Sequence, residues 1–209
     1  YTVQCTSSAT LDCPKKYKKR TLVKNIGVNL FRAFQIVFIT RYKGCSIMTL
    51  STALDPIKDY QKATRVGFLL LDNCTMIALA SSIEPLRMAN QLSGLELYSW
   101  HMVSETGAPV SASDGLSFTP DYSCADMPEL DLLIVCGGVD ITRSFSKKQV
   151  SWLQLMGRRG VTLGGICTGA YMLAHAGLLD GYDCSTHWEC MASLQELYPK
   201  VNCNNRLFT

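Results

Sequence analysis

From residue 66 the chain alternates between unbroken apolar runs and apolar positions three and four apart. Val66 to Leu71 carries no polar interruption, the pattern of a strand covered on both faces in a parallel sheet. Asp72-Asn73 ends it, and Ile77, Leu79, Ala80, Ile83 and Leu86 then form a helical stripe. The alternation recurs. Residues 97–103, 116–118, 130–135 and 161–166 read as strands, and 146–158 and 168–176 as helices, the first of them with a basic Arg158-Arg159 end that suits its dipole. A short strand-like stretch comes after Leu178-Leu179-Asp180-Gly181, and 201–209 reads as a last strand. Strands alternating with helices of this length predict a doubly wound α/β sheet, in which function collects at the carboxyl ends of strands. Three turns fall there: 72–76, 137–141 and 165–169.

Composition sharpens this picture at the amino terminus. Residues 1–47 carry a formal charge of +8 and the rest −5, so the net +3 of the 209-residue chain describes neither part. The body has no basic face of the kind that marks a nucleic-acid surface. Lys15 to Arg20 followed by Ile26 to Phe31 resembles the start of a signal peptide, but Arg32 interrupts the apolar stretch and no small-residue cleavage site comes after it. A basic interaction arm is a second reading. A third is that translation starts at Met48, the first methionine, leaving 1–47 non-native. The expectation is a poorly structured basic extension over 1–62 and a folded domain over 63–209. No apolar run approaches the roughly 20 residues of a membrane span. Ten cysteines at irregular spacing, several inside apolar runs, suggest free thiols in a reducing compartment, hence the cytoplasm. Without CxxC or repeated Cys/His spacing, no metal is expected.

Gly165-Ile166-Cys167-Thr168-Gly169 places a thiol between two glycines at a strand-to-helix junction, the spacing of a nucleophile elbow. Such a turn pushes the side chain out of the sheet toward the positive end of the next helix, where a thiolate is favoured. A buried structural cysteine in a glycine-rich connection is the plainer alternative. His187 lies 20 residues on; if the stretch before it is the next strand of the sheet, the imidazole falls beside the thiol. Gly137-Gly138 could turn backbone N–H groups into the same crevice, or simply make a turn.

Together, Val66–Leu71, Glu84-Pro85-Leu86, Val135-Cys136-Gly137-Gly138, Gly165 to Ala170 and Thr186-His187-Trp188 resemble the ThiJ/PfpI branch of the class I glutamine amidotransferase-like superfamily. Ile83 to Asn90, Ala176 to Gly181 and Thr186 to Glu189 resemble, more narrowly, the amino-terminal domain of GlxA-like AraC-family transcriptional regulators, nearest to activators of carnitine and glycine-betaine catabolism. The resemblance implies a flavodoxin-like three-layer sandwich with a mostly parallel sheet. Enzymes of that branch carry an acid aimed at the cysteine, and the register of Thr75 and Glu84 puts Ala78 at that position. A proton relay therefore lacks a member, and no catalytic residue is expected beyond an elbow remnant of Cys167 and His187.

The expected function is therefore that of an effector-sensing and dimerising domain, non-catalytic and without cofactor. Cys167, Thr168, His187, Gly137, Gly138 and Trp188 would line the effector site. The resemblance implies a betaine- or carnitine-like effector, and a permanent cation calls for aromatic faces or a carboxylate, with Trp188, Tyr171 and Trp100 as candidates. It also implies DNA binding through a helix-turn-helix domain that residues 1–209 do not contain, the ThiJ/PfpI-like domain itself being cut short at its carboxyl end. The alternative is a cysteine-dependent glyoxalase, amidase or hydratase. Redox sensing at Cys167 is a third reading, compatible with the effector-sensing one.

Overall fold

The computed structural model describes residues 36–39, 62–204 and 206. A sheet of six strands forms the centre, in the order β1 (Ile36–Ile39), β8 (Thr162–Ile166), β7 (Leu132–Cys136), β2 (Thr64–Leu70), β3 (Tyr98–Ser104) and β6 (Tyr122–Ser123). All neighbours run parallel except β1, which pairs antiparallel with β8 through Ile36 opposite Ile166. The three central strands β8, β7 and β2 are nearly all buried, which is why they lack alternation. Helices α1 (Met76–Ser93), α2 (Lys147–Arg158), α3 (Gly169–His175) and α4 (Trp188–Leu197) connect and flank the sheet.

The core falls into two clusters, one on each sheet face. Alternate residues of β2 divide between them: Leu69 and Leu71 join the cluster with α2 and α3, whereas Val66, Phe68 and Leu70 join the one with α1. This is the three-layer sandwich with a mostly parallel sheet. Helix α1 ends at Gly94, whose φ of 66° supplies the left-handed cap. Helix α2 starts with a capping box, Ser146 Oγ accepting from the Gln149 amide while the Gln149 side chain accepts from the Ser146 amide. Such a cap contributes about 1 kcal/mol. Ser146 Oγ also donates to Glu105 Oε2 at 2.6 Å, tying α2 to the loop after β3.

Several expectations need correction. The stretch before His187 is not a strand of the central sheet: β9 (Asp183–Cys184) pairs instead with β10 (Asn202–Cys203) in a separate parallel ladder. The place beside β8 is taken by β1. The expected strand at 116–118 is part of a small antiparallel pair, β4 (Val110–Ser111) with β5 (Ser117–Phe118). Helix α4 has no counterpart among the elements expected from the sequence. Nearly all of the basic extension over 1–62, the start at Met48, and residues 205 and 207–209 of the expected closing strand lie outside the described residues; within 201–206 the strand is only the two-residue β10, and residues 36–39 depart from the expected extension by forming β1. Among the described residues no helix is long and apolar enough to cross a membrane.

Candidate functional site

The site is built where three adjacent parallel strands end. Each carboxyl end leads into a turn holding one non-glycine residue in the left-handed region: Asn73 after β2 (φ 58°), Asp140 after β7 (φ 54°) and Cys167 after β8 (φ 56°). For Cys167 this is the backbone of an elbow, a conformation that costs about 1–3 kcal/mol and persists only where the surroundings enforce it. The enforcement is backbone against backbone. A Cβ on Gly169 would collide with the Val135 carbonyl, and one on Gly137 would stand 2.5 Å from both Gly169 N and Thr168 Oγ1. A Cβ on Gly165 would meet Ala170 N at 2.7 Å in the same sense. The glycines around the thiol are therefore there because nothing larger fits.

The Cys167 side chain is partly exposed, neither walled into the core nor paired with a carboxylate. Its one polar contact among the described residues is Thr75 Oγ1 at 3.6 Å. Ala78, at the position where the resemblance calls for an acid, is half-buried against the α1 core cluster. Two further thiols flank the sulfur. Burial pushes the wholly buried Cys136 well up, with Cys74 and Cys167 adding to the shift. Cys190 is raised by burial first, then by Cys167 and Glu189.

His187 reaches the elbow by a different route from the one expected. Its amide donates to the Cys167 carbonyl at 3.2 Å, and Thr186 Oγ1 donates to the same oxygen at 3.5 Å. The ring Nδ1 is sealed from solvent without a hydrogen-bond partner; Glu189 Oε2 stands 3.5 Å away. The Trp188 ring lies beside the imidazole, centroids 5.5 Å apart, and is itself 71% exposed.

The remaining expected residues play other parts. Thr168 is buried and its hydroxyl donates to the Gly138 carbonyl at 2.8 Å, so it ties two turns together. The Gly137 amide is spent on the Ile166 carbonyl at 3.3 Å, and the Gly137 carbonyl accepts from Thr75 N at 3.1 Å. Gly137 thus offers no free N–H to the crevice, contrary to expectation. Gly138 is held against the Asn73 backbone, where a Cβ would clash. Tyr171 is buried, edge-on to Tyr198 at 5.5 Å, and Trp100 sits opposite Val66, toward the amino-terminal end of the sheet. Sequence reasoning missed Thr75 beside the thiol, Cys190 as a second thiol acting with it, and Glu189 as the carboxylate beside His187. Thr75 and Glu189 stand within the quoted sequence strings, but only tertiary contact shows what they face.

A groove of about 450 Å³ lies elsewhere, between Thr142, Phe145, the start of α2 at Ser146-Lys147, Tyr171 and His175. Lys147 is the cationic side chain in its lining, and the Glu105 carboxylate stands behind Ser146. No cluster of three or more His, Cys, Asp or Glu side chains able to hold a metal occurs among the described residues.

An α/β sandwich with a cysteine elbow of this kind defines the fold class, and residues 64–203 match the DJ-1/PfpI family. The chain belongs to it. Among curated relatives, the HTH-type transcriptional regulator GbdR of Pseudomonas aeruginosa is 58% identical over 144 residues, 69% of this chain and 39% of that protein. CdhR of the same organism, also an HTH-type transcriptional regulator, is 43% identical over 141 residues, 68% of this chain and 42% of its own length. The chain thus spans about two-fifths of the length of these two regulators. The solved structure of an AraC family transcriptional regulator from Pseudomonas putida superposes with a TM-score of 0.62 at 33% identity, covering 68% of this chain and 76% of that one. An enzyme is also similar: an isonitrile hydratase of Pseudomonas putida, 28% identical over 127 residues, 60% of this chain and 53% of its own.

Proposed function

We propose that the chain is the effector-sensing and dimerising part of an AraC-family transcriptional regulator, non-catalytic, and responsive to a quaternary amine or a related amino-acid derivative. The observation that carries this reading is the surroundings of Cys167: a partly exposed sulfur on an elbow whose one polar partner among the described residues is a threonine hydroxyl, with alanine where a relay would need an acid. The similarity to regulators supports the same reading. DNA would be engaged by the portion of the regulator beyond the sensing part.

The elbow rim suits a cation better than the groove does. Trp188 presents an open ring and Glu189 a carboxylate next to it, whereas Lys147 in the groove repels positive charge. An aromatic face contributes about 0.5–2 kcal/mol to holding a desolvated cation. His187 and Cys167 form the floor of that rim, on a backbone fixed by Thr168, Gly137 and Gly138.

The second reading, a cysteine enzyme, draws on the elbow backbone itself and on the similarity to a hydratase. Calorimetry with glycine betaine and carnitine, run beside turnover assays with methylglyoxal and an isocyanide, separates the two. Binding without turnover is expected, weakened about two- to thirtyfold by Trp188→Ala, the range that one aromatic face supplies. Turnover abolished by Cys167→Ala would overturn the sensor.

A further inference from the structure

Cys184 and Cys203 stand apart from the elbow and take no part in the reading above. They are directly opposite Cα partners in the parallel β9–β10 ladder. The two thiols act on each other's titration, and Cys184 Sγ donates to its neighbour's carbonyl, Ser185 O, at 3.5 Å. Paired strands run about 4.8 Å apart and disulfides close across Cα separations of about 4.4–6.8 Å, so the backbone already lies within bonding range. Cys184 is fully buried while Cys203 is only partly so, which leaves one sulfur of the pair open to solvent and the other poised behind it.

We propose that Cys184 and Cys203 are a redox-convertible pair, oxidised by a hydroperoxide to a disulfide that staples β9 to β10. In the first step the Cys203 sulfur attacks the peroxide oxygen, the O–O bond breaks, and a sulfenic acid and one water result. In the second the Cys184 sulfur attacks the Cys203 sulfur, the S–O bond breaks, and a second water leaves. Two thiols and one hydrogen peroxide thus become one disulfide and two waters.

The electrostatics favour that order. Burial pushes Cys184 up to about 12; Cys203 is raised by burial too, but the hydrogen bond from Cys184 works in the opposite direction and favours negative charge on Cys203. Both shifts make the reaction slow at neutral pH and faster as pH rises, because the thiolate is the attacking species. The bond closes a loop around α4, the helix that carries Trp188 and Glu189, so oxidation fixes one wall of the site at both ends.

The test uses the whole chain, treated with near-stoichiometric hydrogen peroxide at about pH 9, where more of the attacking thiolate is present, then alkylated and cleaved without reduction by trypsin and chymotrypsin. Cleavage after Lys200 and Arg206 releases Cys203 on residues 201–206, and cleavage after Tyr182 and Trp188 releases Cys184 on 183–188. These two peptides should appear joined, and separate on reduction. In Cys184→Ser the link should vanish and dimedone should trap Cys203 as sulfenic acid. Cys203 recovered unlinked from the oxidised natural chain, or joined to a peptide bearing Cys167 or Cys190, overturns the proposal; so does failure of Cys203 to react at all. None of these outcomes depends on whether an effector binds.

Discussion

The turn after β8 and the start of α4 meet at Cys167, whose carbonyl accepts from the His187 amide, yet are held in opposite ways. The turn is backbone on backbone: Gly137, Gly165 and Gly169 leave no room for a Cβ, and the Thr168 hydroxyl is committed to Gly138. The start of α4 is side chain in solvent, with Trp188 71% exposed and only Leu194 of the helix fully buried. One region owes its shape to close approach, the other to whatever meets it. Substitutions in the first should therefore register as loss of folding, and substitutions in the second as loss of binding.

The largest expected effect tests that division directly. Gly169→Ala should cost at least about 3 kcal/mol in urea denaturation, since backbone atoms must shift, whereas Trp188→Ala should cost under about 0.5 kcal/mol. Gly160→Ala serves as a control: φ is 81° but nothing lies within 4 Å of a Cβ, so about 1 kcal/mol is expected. A loss at Gly169 no larger than that at Gly160 would show that the neighbouring backbone yields to the added methyl, so that crowding does not shape the turn.

A middle-sized effect probes the elbow residue. Cys167→Gly should stabilise the chain by about 0.5–1 kcal/mol by relieving a left-handed φ, while Cys167→Ala should not. Destabilisation by the glycine would mean that the sulfur is held by packing.

The smallest effect sets the baseline far from both regions. Arg65 clasps Asp131 through Nε at 3.1 Å and through its backbone amide at 2.9 Å, and reaches Glu129 at 3.1 Å. The Arg65 side-chain hydrogen bond holds the Asp131 carboxyl below its ordinary value of 3.8. A depressed carboxylate contributes stability above its unfolded value and loses it as the pH falls through the folded one. Asp131→Asn should therefore cost under about 1 kcal/mol at neutral pH, solvent screening being considerable. That cost should shrink in acid, which stability curves at about pH 7 and about pH 2.5 would show.

The unbroken apolar runs made β2, β7 and β8 legible in the sequence, and the three-four spacing did the same for α1 and α2. The Gly-x-Cys-x-Gly string announced the turn. The features that escaped the sequence were short or long-range. Strands of two residues, such as β4 and β6, are too brief to show a period, and β9 and β10 were read as strands but not as each other's partners. Helix α4 buries little, so its Cys190, Met191 and Leu194 pattern carried weak signal. The position of His187 could be anticipated but not its route, because the partner of β9 is set by β10 rather than by the sheet. Thr75 faces Cys167 across 92 positions of sequence, a distance no local pattern spans.

The tightness of the turn also limits how this molecule can diverge. The main-chain turn beneath Cys167 cannot be reshaped one side chain at a time, since Gly137, Gly165 and Gly169 are already at the minimum size and any addition there costs the fold. New chemical preferences among descendants of this chain must therefore be written in Trp188, Glu189 and the first turn of α1, where Ile77 stands in open water. The base would be inherited unchanged beneath them.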